Sequence, residues 1–228
     1  MVRILARSHM NASVTSATET QRIHRILQLL RSSLPPRRSF LSWDSPLQLL
    51  VATILSAQST DRKVNQVTPA LFARYPTAEA FSHAAEEELA EQIRSIGLYR
   101  AKARHIIASC RMLCERFGGA VPCEMAQLVQ LPGVARKTAN IVLADGFGIA
   151  AGIAVDTHVK RLAGRLGLSS QTNPDKIEQD LLQCFAPADW RDINYLFIAH
   201  GRATCTARTP RCAACVLRDL CPNADTNN

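Results

Sequence analysis

The sequence has no long hydrophobic run. Its longest segment without a charged residue, residues 45–60, contains Gln48 and several serine and threonine residues. The segment is shorter than the roughly 18 to 20 apolar residues that cross a membrane. The apolar run near the N-terminus is also too short for the core of a signal peptide. We therefore expect no membrane contact and a cytoplasmic location, associated with the nucleoid if the source is bacterial.

Two further shortages narrow the class of protein. No segment shows the sustained alternation of apolar and polar residues that half-buried strands need, so we predict an all-helical (all-α) protein. Acidic residues are fewer than basic ones, 19 against 27, and the formal net charge is +8. An excess of positive charge favours polyanionic partners such as nucleic acids. An ordinary basic soluble protein would have the same composition.

Hydrophobic residues make up 47% of the 228 residues, which is enough for one large domain or two small ones. They recur at helical spacing, bounded by capping residues and prolines. Predicted helices cover residues 23–34, 47–57, 62–74, 86–96, 102–117, 137–144, 158–166, 174–184 and 190–202. Gly97 is the expected C-terminal cap of the segment 86–96. Residues 1–19 are set apart as a disordered tail that includes cloning residues.

A turn followed by a helix, residues 131–140, combines features of phosphate binding and nucleophilic catalysis. Gly133 supplies the backbone freedom of the turn, and Lys137 lies just inside the helix. The first amide groups of a helix are unpaired and carry the positive end of its dipole, so they can hold a phosphate. A proline-glycine turn before a helix is also a common connector, and this stretch alone does not decide between the two.

Half of the eight cysteines lie close to the C-terminus, as Cys205, Cys212, Cys215 and Cys221 in the pattern C-x6-C-x2-C-x5-C. Without a secretion signal, this clustering argues for a metal site and against a disulfide framework. Four thiolates in so short a segment can close around zinc or an iron–sulfur cluster, and the spacing leaves both open. Four cysteines leave no open position for a substrate, so the expected role is structural.

Several polar residues have an ordinary structural interpretation. Asp156 precedes a helix, where an aspartate usually only caps the helix. The polar residues 58–61 could cap the helix that follows them. His200 lies on the inner face of the last helix, and Cys110 is expected to be a small buried residue. From their own positions, none of these residues is assigned to a function.

Short motifs are spread over residues 21–222. They are residues 55–61 (LSAQSTD), 97–99 (GLY), 131–134 (LPGV), 136–140 (RKTAN), 155–158 (VDTH), 200–202 (HGR) and the cysteine quartet. Together these motifs resemble the endonuclease III family of helix-hairpin-helix DNA glycosylases, in particular its bifunctional branch. The resemblance covers nearly everything outside the N-terminal tail.

The resemblance implies two helical domains that flank a DNA-binding cleft. A six-helix domain with the helix-hairpin-helix would span residues 39–149, and residues 20–38 with 150–228 would form the iron–sulfur cluster domain. In this family the cysteine quartet binds a [4Fe-4S] cluster, which answers the question of the metal. The expected partner is double-stranded DNA that contains damaged pyrimidines or abasic sites, bound by a monomer.

The resemblance also implies the catalytic residues, with Lys137 as the nucleophile and Asp156 as the essential carboxylate. A lysine must lose its proton before it attacks, and the positive end of a helix dipole favours the neutral amine. The expected reaction is attack of Lys137 on C1′ of the damaged nucleotide, loss of the base, a Schiff base, and β-elimination that cuts the strand. Asp156 would stabilise the cationic sugar and assist proton transfer.

Further residues are implied to contact DNA. Gln58 and Leu98 would fill the gap left by the extruded nucleotide, and Asp61 and His158 would line the lesion pocket. The implied DNA contacts are Gln58, Leu98, Gly133, Val134, Ala135, Arg136, Arg208 and Arg211. Without the resemblance, Gln58 would be interpreted as a helix cap and Leu98 as a core residue.

Some residues depart from the family's pattern. Ala135 stands where a second glycine is usual, so we expect a more constrained turn and weaker phosphate binding. Thr209 stands where a lysine is common, which should reduce the salt dependence of DNA binding. The loop 149–153 is longer and lacks the usual proline. Two alternatives stay open: a monofunctional glycosylase, against which Lys137 argues, and a DNA-binding paralogue with little catalysis.

Overall fold

The structure is a computed structural model, and it describes the backbone of residues 5–224 and the side chains of residues 18–224. Within this range every regular element is helical, which confirms the predicted all-helical class. The elements are α1 Leu5–Ser33, α2 Pro46–Ser56, α3 Asp61–Arg74, α4 Ala78–Ser82, α5 Glu86–Gln92, α6 Tyr99–Phe117, α7 Met125–Leu128, α8 Arg136–Ile141, a π-helical segment Val142–Phe147, α9 Thr157–Arg165, α10 Pro174–Cys184, α11 Trp190–Ala203, and the 3₁₀ turns Pro187–Asp189, Cys212–Ala214 and Arg218–Leu220. No described helix has both the length and the apolar character of a membrane span.

The chain divides into two compact units. One is continuous and comprises residues 38–154, whereas the other combines the chain up to Arg37 with the part that begins at Val155. The predicted second boundary, between residues 149 and 150, lies slightly before the observed one. Of the segment 1–19 set apart as a tail, residues 5–19 belong to α1, and residues 1–4 lie outside the described part of the chain.

The continuous unit is built around α2. Ser45 caps this helix by accepting a hydrogen bond from the Gln48 amide at 3.3 Å, and Pro46 occupies its first turn. All residues from Leu49 to Leu55 are buried, which explains why the sequence of α2 is apolar on every side. Each buried leucine or isoleucine contributes about 1.5–3 kcal/mol to folding. The apolar stripes of α3 and α6 pack against α2.

Two helices in this unit end differently from the prediction. The segment 86–96 is helical only to Gln92, and tighter bonds from Arg94 to Glu91 and from Ile96 to Ile93 continue it as turns. Gly97 is not its cap. The helix that contains Lys137 passes after Ile141 into the π-helical segment, which buries both Val142 and Leu143 and ends at Gly148 with φ 73°.

The discontinuous unit packs α1 with α9, α10 and α11. Its core includes the fully buried Ile26 and Leu30 of α1 and Phe197 of α11. Near the start of the chain, Arg22 donates to the carbonyl oxygens of Leu166 and Leu220, at 3.0 and 2.8 Å. The N-terminal helix is thereby tied to the loop after α9 and to the segment that carries the last cysteines.

Candidate active site

The hairpin at residues 131–134 is seated on α6. Gly133 has φ 79°, a left-handed conformation that favours glycine. A Cβ atom at this position would lie 2.9 Å from the Cβ and Nδ1 atoms of His105, so α6 also leaves no room for a side chain. One turn further along α6, the fully buried Ser109 donates its hydroxyl hydrogen to the carbonyl oxygen of Pro132 at 2.7 Å. The sequence does not predict this anchor.

The backbone amides of the hairpin differ in their roles. The Val134 amide donates to the Leu131 carbonyl oxygen at 3.0 Å, and the Val134 side chain is buried. Within the described residues, the amides of Gly133 and Ala135 have no protein acceptor. Ala135 has φ −86° and ψ 169°, an extended conformation that any residue adopts. The turn therefore does not require glycine at position 135.

Lys137 is exposed in the first turn of α8. Within residues 18–224 its ammonium group has no hydrogen-bond or ion-pair partner. Its neighbour Arg136 is also exposed. The hairpin and the start of α8 thus present open amide groups at Gly133 and Ala135 and an uncommitted amine at Lys137, which suits a backbone phosphate and a nucleophile.

Asp156 lies in the discontinuous unit, next to its boundary at Val155. It is half-buried, and its Oδ1 atom caps α9 by accepting a hydrogen bond from the Val159 amide at 2.8 Å. The structural interpretation of Asp156 as a helix cap is therefore correct. Capping occupies one carboxylate oxygen, and within the described residues Oδ2 has no protein donor. Two residues further on, His158 lies with Nδ1 3.1 Å from Nη2 of Arg161.

Gln58 and Leu98 share an unusual backbone geometry. They have φ values of 53° and 57°, and no other described residue except glycine lies in the left-handed region. Leu98 is 59% exposed, so it is not a core residue. Thr60, not Gln58, caps α3, by accepting from the Lys63 amide. Both structural alternatives for these residues are therefore wrong, and the two side chains line one surface groove. Asp61 is half-buried at the start of α3 in the same unit.

The four C-terminal cysteines line a common cavity and are all half-buried. Arg165 donates to the Cys205 sulfur at 3.3 Å, and the Leu217 amide donates to the Cys215 sulfur at 3.4 Å. Such N–H groups favour thiolate ligands. Burial raises the pKa values of the Cys215 and Cys221 thiols, and the neighbouring cysteines raise them further. Four thiolates here consequently need a positively charged metal centre.

Four half-buried thiols around one cavity suit either a zinc ion or an iron–sulfur cluster, because both accept four cysteine ligands. His200 is buried with Nε2 3.4 Å from the Cys215 sulfur, and burial lowers its pKa.

Two arginines of α9 that the sequence motifs do not single out bind the segment with the four cysteines, residues 204–221, which we call the cysteine loop. Arg161 donates to the carbonyl oxygens of Gly201 and Cys205, and Arg165 donates to those of Thr206 and Ala207. The available signal was their spacing, since residues four apart share one helix face.

Arg208 and Arg211, the two arginines of the cysteine loop that are predicted to contact DNA, differ in whether the protein itself binds their side chains. The guanidinium group of Arg211 donates to the carbonyl oxygen of Ala203, the last residue of α11. Arg208 is exposed, and its side chain has no protein partner within the described residues. Thr209 contributes its carbonyl oxygen to the Thr206 hydroxyl at 2.6 Å. Arg208 is consequently the side chain of this loop best placed to meet a phosphate.

These features define a helix-hairpin-helix protein of base excision DNA repair. Residues 51–187 match the model of the HhH-GPD superfamily of base excision DNA repair proteins, and residues 205–221 match the iron–sulfur binding domain of endonuclease III. The chain belongs to the endonuclease III family of this superfamily.

Proteins named endonuclease III align with almost the whole chain. Endonuclease III of Synechocystis sp. is 51% identical over 211 residues, which is 92% of this chain and 96% of the relative. Endonuclease III of Escherichia coli (strain K12) is 43% identical over 197 residues, 86% of this chain and 92% of the relative. The chain is thus a base excision repair DNA glycosylase and AP lyase with a [4Fe-4S] cluster, whose binding domain matches residues 205–221.

Two solved structures of endonuclease III with DNA share the fold. A trapped covalent endonuclease III–DNA intermediate superposes with a TM-score of 0.87 at 39% identity, covering 91% of this chain and 97% of the other. A non-covalent endonuclease III–DNA complex gives a TM-score of 0.86 at 40% identity, with the same coverage. These structural neighbours support DNA as the substrate of this chain.

Proposed function

We propose that this enzyme removes oxidised pyrimidines from duplex DNA and then cuts the abasic strand through a Schiff base on Lys137. The observation that carries the proposal is the uncommitted, exposed amine of Lys137 in the first turn of α8, beside the open amides of Gly133 and Ala135. Those amides and Arg136 would hold a backbone phosphate. The phosphate would fix the sugar next to the amine.

The reaction starts from the neutral amine of Lys137, which the positive end of the helix dipole and the exclusion of water by bound DNA both favour. The amine attacks C1′, and the bond to the base breaks as the base leaves with the bonding electrons and gains a proton. Ring opening gives a Schiff base between Lys137 and C1′. Removal of a proton from C2′ then breaks the C3′–O bond, and hydrolysis releases the enzyme.

Asp156 would stabilise the positive charge that develops on the sugar while the base departs. Its Oδ1 atom is held by the Val159 amide, which fixes the carboxylate at the start of α9. The Oδ2 atom remains available for the sugar or for a proton. Capping and catalysis are therefore compatible in this residue.

The remaining DNA contacts follow from exposure and geometry. Gln58 and Leu98 would fill the gap in the duplex when the damaged nucleotide is extruded, and Asp61 and His158 would line the pocket that receives it. Val134 would act indirectly, because its amide and side chain are used inside the protein.

The cysteine loop supplies the outer DNA contacts. Cys205, Cys212, Cys215 and Cys221 would hold the [4Fe-4S] cluster, which gives rigidity to the loop. Within that loop Arg208 and Arg211 form a basic surface that would bind phosphates. We propose that the enzyme acts as a monomer on double-stranded DNA.

The decisive experiment uses duplexes with thymine glycol or with an abasic site. Base release with nicking, and a borohydride-trapped protein–DNA cross-link, are the expected results. The Lys137→Ala variant should lose the cross-link, whereas Lys160→Ala, which removes an exposed lysine of α9, should keep it. Base release without nicking would instead indicate a monofunctional glycosylase, and binding without either reaction would indicate a DNA-binding paralogue.

A further inference from the structure

Lys102 is a buried lysine that the proposed reaction does not use. It lies on the inner face of α6 and is only 4% exposed. Its ammonium group donates to the carbonyl oxygens of Leu55 and Ala57, at 2.8 and 2.5 Å, and to the Ser59 hydroxyl oxygen at 3.3 Å. The three hydrogens of the ammonium group thus match three acceptors.

The first two acceptors lie at the end of α2, where helix carbonyl groups lack partners inside the helix. A cation there also compensates the negative end of the helix dipole. Burial lowers the pKa of Lys102 to about 8, so the amine still carries its third proton at neutral pH. Lys102 therefore fixes the point at which the chain leaves α2 and enters the Gln58 turn.

Ser59 extends this link to a second turn. Its hydroxyl oxygen also accepts a hydrogen bond from the Gly97 amide at 3.2 Å. The turns touch directly as well, because a Cβ atom on Gly97 would lie 3.3 Å from the Gln58 carbonyl oxygen. Lys102, Ser59 and Gly97 consequently connect the two turns that carry Gln58 and Leu98.

Those two turns hold the described non-glycine residues with left-handed φ. Residues other than glycine rarely adopt this backbone conformation, and it persists only where surrounding contacts impose it. No side-chain hydrogen bond caps α6 at Leu98. Ser59 accepts hydrogen bonds from both the Lys102 ammonium group and the Gly97 amide, so it joins the two turns.

We propose that Lys102 is a positioning residue that, through Ser59, holds Gln58 and Leu98 in the geometry that enters the DNA duplex. The inference rests on the proposed role of Gln58 and Leu98 in filling the gap. Extrusion of a paired lesion base depends on that role, whereas an abasic site has no base to extrude. Loss of Lys102 should therefore impair base release more than strand cutting at a preformed abasic site.

The test compares Lys102→Met and Ser59→Ala with the wild type as holoenzymes. We expect single-turnover base release from a thymine-glycol duplex to fall by about tenfold or more, and nicking of an abasic duplex to fall by less than about threefold. The double variant should resemble the stronger single variant, because both changes break one link. The fluorescence of an adenine analogue placed opposite the lesion, which reports unstacking of the bases, should also rise more slowly with both variants than with the wild type.

Lys160→Met is the matched control, because Lys160 is exposed and donates to one main-chain carbonyl, that of Thr172, at 2.7 Å. It should change neither rate. Equal losses of both activities, or unchanged base release in both test variants, would overturn the proposal. In Ser59→Ala the Lys102 ammonium group keeps its hydrogen bonds to the Leu55 and Ala57 carbonyl oxygens. This variant therefore still tests the proposal if Lys102→Met does not fold. Absence of base release or trapping in the wild type would instead reject the proposed function itself.

Discussion

Ser109 and Pro132 are far apart in the chain, yet the Ser109 hydroxyl donates to the Pro132 carbonyl oxygen over 2.7 Å. This bond joins the buried face of α6 to the turn that precedes Lys137. It makes α6 the support of both features of the continuous unit that we propose to contact DNA, since Lys102 of the same helix bonds to the Gln58 turn.

Ser109→Ala should lower the free energy of unfolding by about 0.5 to 1.5 kcal/mol, because it removes the hydrogen bond to the partly buried carbonyl group of Pro132. Affinity for abasic DNA should fall as well, since the hairpin loses its anchor. Urea denaturation and binding titrations check both effects. Ser32→Ala is the control, because the exposed Ser32 hydroxyl also donates to a main-chain carbonyl but on the protein surface. Equal stability of the two variants would contradict the anchoring role.

Gly133→Ala should destabilise the protein and weaken DNA binding for two reasons. Alanine is strained at the left-handed φ of this position, and its Cβ atom would collide with His105. Left-handed strain alone costs of order 1 to 3 kcal/mol. Gly119→Ala separates the two causes, since Gly119 has φ 82° with no atom within 4 Å of the added Cβ. Thermal and urea melts should show a larger loss for Gly133→Ala, and a loss no larger than that of Gly119→Ala would exclude the contact with His105.

Ala135→Gly should bring no gain in DNA affinity. The extended conformation of Ala135 is available to alanine without strain, so glycine relieves nothing. It adds freedom to the unfolded chain instead, which should lower stability by about 0.4 to 1 kcal/mol. Binding to abasic duplexes at several salt concentrations tests this. A clear increase in affinity would support the expectation that Ala135 keeps the backbone away from the phosphate.

Asp156→Asn should separate capping from catalysis. Asparagine is as good a helix cap as aspartate, so the stability should stay within about 0.5 kcal/mol, whereas Asp156→Ala should lose about 1 kcal/mol. Base release should fall in both variants by on the order of 10²-fold, because the charge that stabilises the sugar is absent. Urea melts and single-turnover kinetics give the two quantities. Normal kinetics in the asparagine variant would reduce Asp156 to a cap.

Arg165→Met should make the [4Fe-4S] cluster less stable in the holoenzyme. The change removes the donor to the Cys205 sulfur and two further bonds to the loop. Visible absorbance of the cluster should therefore decay faster under peroxide. Arg25→Met is a suitable control because Arg25 is exposed on α1. Identical decay in the two variants would show that Arg165 does not protect the cluster.

The sequence predicts the fold well where a local signal is strong. Ser45 and Thr77 are polar residues just before helices, where such residues are favoured as caps, and both cap those helices. The cysteine spacing predicts a metal site for the same local reason. Assignment of Lys137 and Asp156 depends on the resemblance, because a lysine or an aspartate at a helix start has ordinary roles in most proteins.

The features that escaped prediction depend on contacts between distant residues. Lys102 lies one turn before Ile106 on the inner face of α6, but lysines are so rarely buried that its position alone suggests a solvent-exposed residue. Gly97 is the expected helix cap, whereas in the structure Leu98 has the left-handed φ and the Gly97 amide donates to Ser59 on another turn. The π-helical segment Val142–Phe147 has the same apolar composition as an α-helix.

The discontinuous unit has a consequence for synthesis on the ribosome. Residues 38–154 form a complete unit before the rest of the chain has been translated, and domains generally fold as they emerge. α1 emerges before this unit but lacks α9–α11 to cover Ile26 and Leu30, and Arg22 lacks the Leu220 carbonyl until a further 198 residues have been translated. α1 is thus packed only after residues 38–154 have emerged, and its apolar face is exposed to chaperones and to aggregation throughout that interval.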